Sequence, residues 1–191
     1  MLKNERYLKA VYRNLCEVVN ALHERQVLIS LEEYIKKNGK IFYYGGSFLH
    51  IARDALFNDM IAHIIKVLDR NRDSTGFWYI FKTDKGMIKN CKSYSESKIK
   101  FLDELAPKLK IVRDKSHFHI DKNGVLDPQA VWSEAGITGD ELGKGVDYLL
   151  DILLEVNNKV LGGTVSRNNY IYTGEDFLQL LELARTNGII K

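Results

Sequence analysis

Phe48-Leu49-His50-Ile51-Ala52-Arg53-Asp54-Ala55-Leu56-Phe57-Asn58-Asp59-Met60-Ile61-Ala62-His63-Ile64-Ile65-Lys66-Val67-Leu68 is the stretch on which the fold turns. Its apolar residues do not alternate, as a half-buried strand would require, and they recur around most of a helical circumference. A helix apolar nearly all round belongs at the centre of a bundle. Two polar pairs interrupt it, His50 with Asp54 and Asp59 with His63, each four residues apart and so on one helical face. Buried, each pair satisfies itself; Asp59 and His63 could also supply two metal ligands, but no third ligand is in view, so a structural pair is expected.

Upstream, Leu8, Val11, Tyr12, Leu15, Val18, Val19 and Leu22 repeat at helical spacing, and the pattern continues through Val27, Leu31 and Ile35 to Lys36-Lys37-Asn38-Gly39. One long helix is expected, with a break near Leu28-Ile29-Ser30, and Cys16 falls on its apolar face as a small core residue. Lys40 to Tyr44 suits a short extended piece, and Gly45-Gly46-Ser47 a loop that caps the next helix.

Downstream, Gly76-Phe77-Trp78-Tyr79-Ile80-Phe81 reads equally as a helical turn or a strand. From Ser93-Tyr94-Ser95-Glu96 a long pattern begins, with Phe101, Leu102, Leu105, Leu109 and Val112 at spacings of three and four. Pro107 within it predicts a kink or interruption, and the pattern runs to about Asp121 before Lys122-Asn123-Gly124. Asp127 and Pro128 suit the N-cap and first position of a short helix. Thr138 caps another long helix carrying Leu142, Val146, Leu149, Leu150, Leu153, Leu154 and Val156, which stops at Leu161-Gly162-Gly163. Thr173-Gly174-Glu175-Asp176 opens the last, with Phe177, Leu180, Leu181 and Leu183 expected to face inward. The chain therefore reads as all-α, with four principal helices and shorter ones between them, in a single domain over residues 1–191.

The 191 residues are 45% hydrophobic and 28% charged, ordinary for a globular protein with one core. No stretch approaches the roughly 18 uninterrupted apolar residues of a membrane span, and the charged N-terminus is unlike a signal peptide, so a cytoplasmic protein without membrane association is expected. Cys16 and Cys91 are the only cysteines and suggest neither a disulfide framework nor a cysteine-based zinc site. A net charge of +3 does not by itself imply nucleic acid, but seven basic residues face four acidic ones between Lys98 and Lys122, a patch able to hold phosphates. Neither a glycine-rich phosphate loop nor a convincing metal constellation is present in the sequence, so no cofactor or metal is expected.

Chemistry concentrates in Arg113-Asp114-Lys115-Ser116-His117-Phe118-His119-Ile120-Asp121-Lys122. On a straight α-helix Arg113 and His117 lie about 40° apart, whereas Arg113 and His119 are separated by about 120° and roughly 9 Å along the axis. Leu102, Leu105, Leu109, Val112, Ser116 and His119 nevertheless make one stripe, which aims His119 at whatever the helix packs against. The stripe alone allows a structural histidine with Lys115 and Lys122 as helix-terminal cations. It equally allows a site, since arginine clamps phosphate and histidine moves protons near neutral pH, the parts of metal-independent RNA cleavage.

This segment resembles the signature of HEPN domains: an arginine followed by a polar residue, four to six intervening residues, and a histidine near the end of a helix in an all-α bundle. Arg113 to His119 has five intervening residues and fits; Arg113 to His117 has three and does not. With Ala52-Arg53-Asp54-Ala55-Leu56 and Val67-Leu68-Asp69, the chain looks most like the abortive-infection AbiU-type branch, over roughly residues 48–161. The resemblance implies a HEPN-like four-helix bundle with additional short helices, its core at about 48–161 and the N-terminal and C-terminal helices packed on it. It also implies a homodimer that brings two Arg113/His119 sets into one cleft, and a metal-independent endoribonuclease of a bacterial toxin or antiviral-defence system acting on RNA. The other reading it leaves open is a non-catalytic module that binds RNA, a nucleotide or a partner. In the nuclease reading Arg113 stabilises the scissile phosphate, His119 transfers or orients a proton and Asp114 positions the site. His117, Lys115 and Asp121 are auxiliary candidates, and an antitoxin or other partner protein fits the same family.

Overall fold

A computed structural model describes residues 5–38, 46–117 and 128–188. Among them the chain is all-α, with eight α-helices, one π turn and one 3-10 turn. Four long helices form the walls of the bundle: α1 (Glu5–Asn38), α2 (Gly46–Leu68), α5 (Glu96–Val112) and α7 (Gly139–Leu161). They close a ring, since α1 packs on α2 and α7, and α5 packs on the same two. Helices α3 (Phe77–Thr83) and α4 (Lys85–Lys89) connect α2 to α5, α6 (Pro128–Ala135) precedes α7, and α8 (Glu175–Thr186) lies against α1.

Helix α1 is unbroken, against the expected break near Ser30. No glycine or proline interrupts residues 5–38, and Leu28 and Leu31 continue the buried stripe begun by Val11, Leu15, Val18 and Leu22. Isoleucine and serine cost a helix only a few tenths of a kcal/mol, which that packing outweighs. Cys16 is only half-buried, and Cys91 is the cysteine that enters the core.

Apart from Leu49, the buried residues of α2 lie in its second half. Met60, Ile61, Ile64, Ile65, Val67 and Leu68 are buried, whereas Ile51 is 66% exposed and Ala55 is also exposed. The helix buried round most of its girth is α7, where Leu142, Val146, Leu149, Leu150, Ile152, Leu153 and Val156 are all enclosed. Its polar stripe hides this in the sequence, because partners cover it: Asp147 pairs with Arg25 and Arg167, and Glu155 accepts hydrogen bonds from the backbone N–H groups of Lys92 (2.8 Å) and Ser93 (2.9 Å). Thr138 caps α7 in a reciprocal capping box with Glu141, and Gly162 ends it in the left-handed region at φ 68°. Gly145 lets α5 approach, since a Cβ there would meet Leu105 Cδ2 at 2.7 Å.

The aromatic stretch after Gly76 is helix α3, with Phe77, Trp78 and Ile80 buried. In α8 the expected inward face is reversed for Phe177, Leu180 and Leu183, all exposed, with Leu180 at 64%. One neighbour, α1, can cover only one side of a helix, and it covers the side of Leu178, Leu181 and Glu182, the last bonded by Tyr34 at 3.4 Å. Lys40–Tyr44, Asp127 and the stop at Lys122-Asn123-Gly124 lie outside the described residues. No helix among the described residues is long and apolar enough to cross a membrane.

Candidate functional site

Pro107 lies inside α5 without interrupting it. A proline has no N–H to give the carbonyl four residues back, here that of Asp103. Arg70, two residues past the end of α2, supplies the missing donor: its Nη2 reaches the Asp103 carbonyl at 3.4 Å and also pairs with the Asp103 carboxylate. The guanidinium lies over the Trp78 ring, 4.5 Å from its centroid. The end of α2 is thereby fixed against the last turns of α5.

Between them opens a cavity of about 430 Å³, walled by Ile65, Leu68, Ala106, Pro107 and Leu109 and rimmed by Asp69, Lys110 and Arg113. Beside it, sharing Asp69, Arg70 and Asn71, runs a groove of about 350 Å³ lined by Arg72, Trp78, Tyr79, Phe81 and Lys82.

Arg113 begins a π turn, Arg113–His117, that follows α5 directly. This corrects the straight-helix projection: the i to i+5 turn widens the helix, so positions after Val112 cannot be extrapolated from the stripe of α5. Such turns collect at functional sites because they re-aim side chains. Arg113 is held from two sides. Its Nε donates to Asp114 Oδ1 at 2.7 Å and its Nη1 to Asp69 Oδ1 at 3.3 Å. Asp114 accepts a further hydrogen bond from Lys110 Nζ at 2.7 Å. The Arg113 bond first, then that of Lys110, hold the Asp114 carboxyl below the usual carboxylate range, and the Asp114 bond in turn raises Arg113. Asp114 is therefore an anchor that stays ionised, suited to orienting Arg113 and unsuited to delivering a proton.

Lys115 is turned to α6, where Nζ bonds both carboxylate oxygens of Glu134 at 2.6 and 2.7 Å. His117 closes the π turn, and its side chain is not among the described ones; His119 and Asp121 lie outside the described residues. The structure thus brings Arg113 and Asp114 together and adds Asp69 and Lys110, which the motif did not flag. Asp69 stands 44 residues from Arg113 in the chain, so no local spacing could announce it. Arg70 did leave a signal, since a mid-helix proline calls for a donor from elsewhere.

The two polar pairs of α2 part company. His50 and Asp54 are exposed, and Asp54 pairs with Arg53 at 2.7 Å. His63 is buried, and its closer partners come from α1: Nδ1 meets Glu17 Oε2 at 2.6 Å and Nε2 meets Glu24 Oε1 at 3.3 Å, with Asp59 Oδ1 at 3.9 Å. The expectation that Asp59 and His63 lack a third ligand is corrected, for Glu24 stands beside them.

No curated protein and no solved structure matches the chain. The family model HEPN_AbiU2, described as AbiU2, matches residues 3–178, and with an all-α bundle whose walls fall inside that range the chain belongs to the HEPN AbiU2 family.

Proposed function

We propose that this HEPN protein is a metal-independent endoribonuclease of a bacterial toxin or antiviral-defence system, acting in the cytoplasm and cleaving RNA at a cleft shared by two copies of the chain. The observation that carries this reading is the Arg113 guanidinium, held by Asp69 and Asp114 at the rim of a cavity, on the turn that leads to His117 and His119. In it, Arg113 stabilises charge on the scissile phosphate, Asp114 positions Arg113, and His119 orients or relays the proton of the attacking 2′-hydroxyl. Arg72 and Lys82 of the neighbouring groove offer positive charge, and Trp78, Tyr79 and Phe81 offer ring surface for a strand leaving the site.

A second reading is favoured by one observation. Lys110 and Arg113 are matched by Asp69 and Asp114, so these four described residues together carry no net charge to spend on a phosphorane. A module that binds RNA or a partner without cleaving it would tolerate that balance.

The deciding experiment is RNA cleavage in EDTA by the wild type, Arg113→Ala and His119→Ala at matched folding, with the mass in solution measured in parallel. Cleavage lost in both variants supports the nuclease. A folded wild type that cleaves no RNA transfers the case to the binding module, and a strict monomer at micromolar concentration removes the shared cleft.

A further inference from the structure

We propose that Glu24 of α1 with Asp59 and His63 of α2 forms a divalent-cation site that pins the two helices together, with Glu17 presetting His63 as a ligand. The three side chains offer one ligand atom each, all within 4.8 Å of one another. Zinc bonds of about 2.0–2.2 Å place tetrahedral ligands about 3.3–3.6 Å apart. His63 Nε2 and Glu24 Oε1 already stand at 3.3 Å. Nε2 and Asp59 Oδ1 are at 3.9 Å, and Asp59, 64% exposed, is free to close the remainder by a rotamer adjustment.

The tautomer of His63 follows from Glu17. A carboxylate only accepts, so the 2.6 Å contact places a proton on Nδ1. Lys66 Nζ pairs with the same Glu17 oxygen at 3.2 Å and holds this acceptor in place. In the neutral ring, Nε2 is then a lone pair aimed at Glu24 and Asp59. This carboxylate–histidine arrangement orients metal-binding imidazoles.

Three acceptors turned on one another need a positive centre. Glu24 adds an independent sign of one: its Oε2 is buried with no hydrogen-bond partner. Burying a carboxylate oxygen without a donor is costly, and a cation taking both Glu24 oxygens removes that cost. One nitrogen and two carboxylates suit Zn²⁺, with Co²⁺ as its spectroscopic substitute and open positions left to water.

The alternative is an imidazolium clamp, with protonated His63 bridging Glu17 and Glu24 and no metal. The full chain, stripped with EDTA and dialysed, is titrated with Zn²⁺ by calorimetry and with Co²⁺ by visible absorption, for the wild type, Asp59→Asn, Glu24→Gln and Glu17→Gln. Expected are one equivalent bound, a Co²⁺ spectrum of low-symmetry coordination, and affinity reduced by about 10–100-fold in each variant. At a hundredfold excess of Zn²⁺ over the dissociation constant, the wild-type Tm rises by about 5–10 °C. The melt of each variant in EDTA, with its circular dichroism, shows whether the metal-free variant is folded, so that lost binding is separated from lost folding. Absence of saturable uptake by the wild type overturns the proposal in favour of the clamp. So does uptake that is undiminished in Asp59→Asn and Glu24→Gln, which would place the ion elsewhere. Because the readout is metal uptake, either result is independent of RNA cleavage in EDTA.

Discussion

Asp69→Asn is the most discriminating change at the Arg113 site, because it alters charge while keeping shape. The asparagine carbonyl can still accept the Asn71 N–H that Asp69 Oδ1 receives at 3.2 Å, so the turn after α2 survives. What disappears is the negative charge 3.3 Å from Arg113 Nη1. A phosphate docked on the outer edge of that guanidinium would lie about 7 Å from the Asp69 carboxylate, a repulsion of about 0.6 kcal/mol in bulk water and about 2.4 kcal/mol at an effective dielectric of 20. Arg113 and Asp69 side chains are 28% and 29% exposed, so screening is substantial; about 1 kcal/mol is the working value, a fivefold gain in RNA affinity. The gain should shrink between 10 and 150 mM salt as the Debye length falls from about 30 to about 8 Å. Cleavage should move the other way, about tenfold slower in single turnover, since one of the two anchors of Arg113 becomes a neutral, weaker acceptor. Fluorescence anisotropy with a labelled single-stranded RNA at both salts, and single-turnover cleavage in EDTA, read the two effects. Affinity unchanged at low salt would refute the reasoning, because it would mean that phosphate does not meet Arg113.

Glu155→Gln should lower the Tm at neutral pH by about 3–6 °C, for about 1.5 kcal/mol lost when a charged acceptor of backbone N–H groups becomes neutral. Burial opposes the ionised form of Glu155, but Lys159 and the Ser93 and Lys92 N–H groups outweigh it and bring the group from 4.5 to about 2. Its folded value is depressed, so its stabilisation is present above about pH 4.5 and vanishes as pH falls towards 2; the gap between variant and wild type in melts should close over that window. Gly76→Ala should cost about 3 kcal/mol by urea unfolding, because the new Cβ would sit 2.6 Å from the Val67 carbonyl oxygen, a backbone atom that cannot swing aside. Arg70→Met should cost less when combined with Pro107→Ala, which returns an N–H to the Asp103 carbonyl; a double-mutant cycle should give a coupling of about 1 kcal/mol, and strict additivity would remove the account of Pro107.

The stripes of Leu, Ile and Val at three and four residues made the helices and the all-α class legible, because each buries one face against a neighbour. Their depth in the bundle was less legible. Helix α2 looks central by composition, yet a helix is buried only where another runs beside it, and Ile51 has no such cover. Helix α7 looks merely amphipathic until Arg25, Arg167, Lys92 and Ser93 are seen over its charges. At the site, Arg113 and Asp114 stood out because a local motif carries them. Asp69 entered only within the Val67-Leu68-Asp69 resemblance, with no role attached, because its contact with Arg113 spans 44 residues, and the π turn is a change in hydrogen-bond register that no residue type encodes. Glu17 and Glu24 left a faint trace: two acids seven residues apart on the buried side of α1, which need partners on whatever helix they face.

The charge balance around Arg113 bears on why the proposed nuclease would need two copies. Asp69 and Asp114 take the directions from which Nη1 and Nε donate, and Lys110 is spent on Asp114, so a single chain offers phosphate an oriented but largely neutralised arginine. Orientation and attraction are separable, and this arrangement maximises the first at the expense of the second. A phosphate would bind weakly to such a site unless further positive charge were brought within a few ångströms, and Arg70, which lines the same cavity, is already committed to Asp103 and Trp78. A second Arg113 facing the first would bring its own Asp69 and Asp114, so pairing would add a second oriented donor to the same phosphate and no net charge. The carboxylates that dull each arginine also fix its direction, so the proposed dimer would act by converging two oriented guanidinium groups on one phosphate.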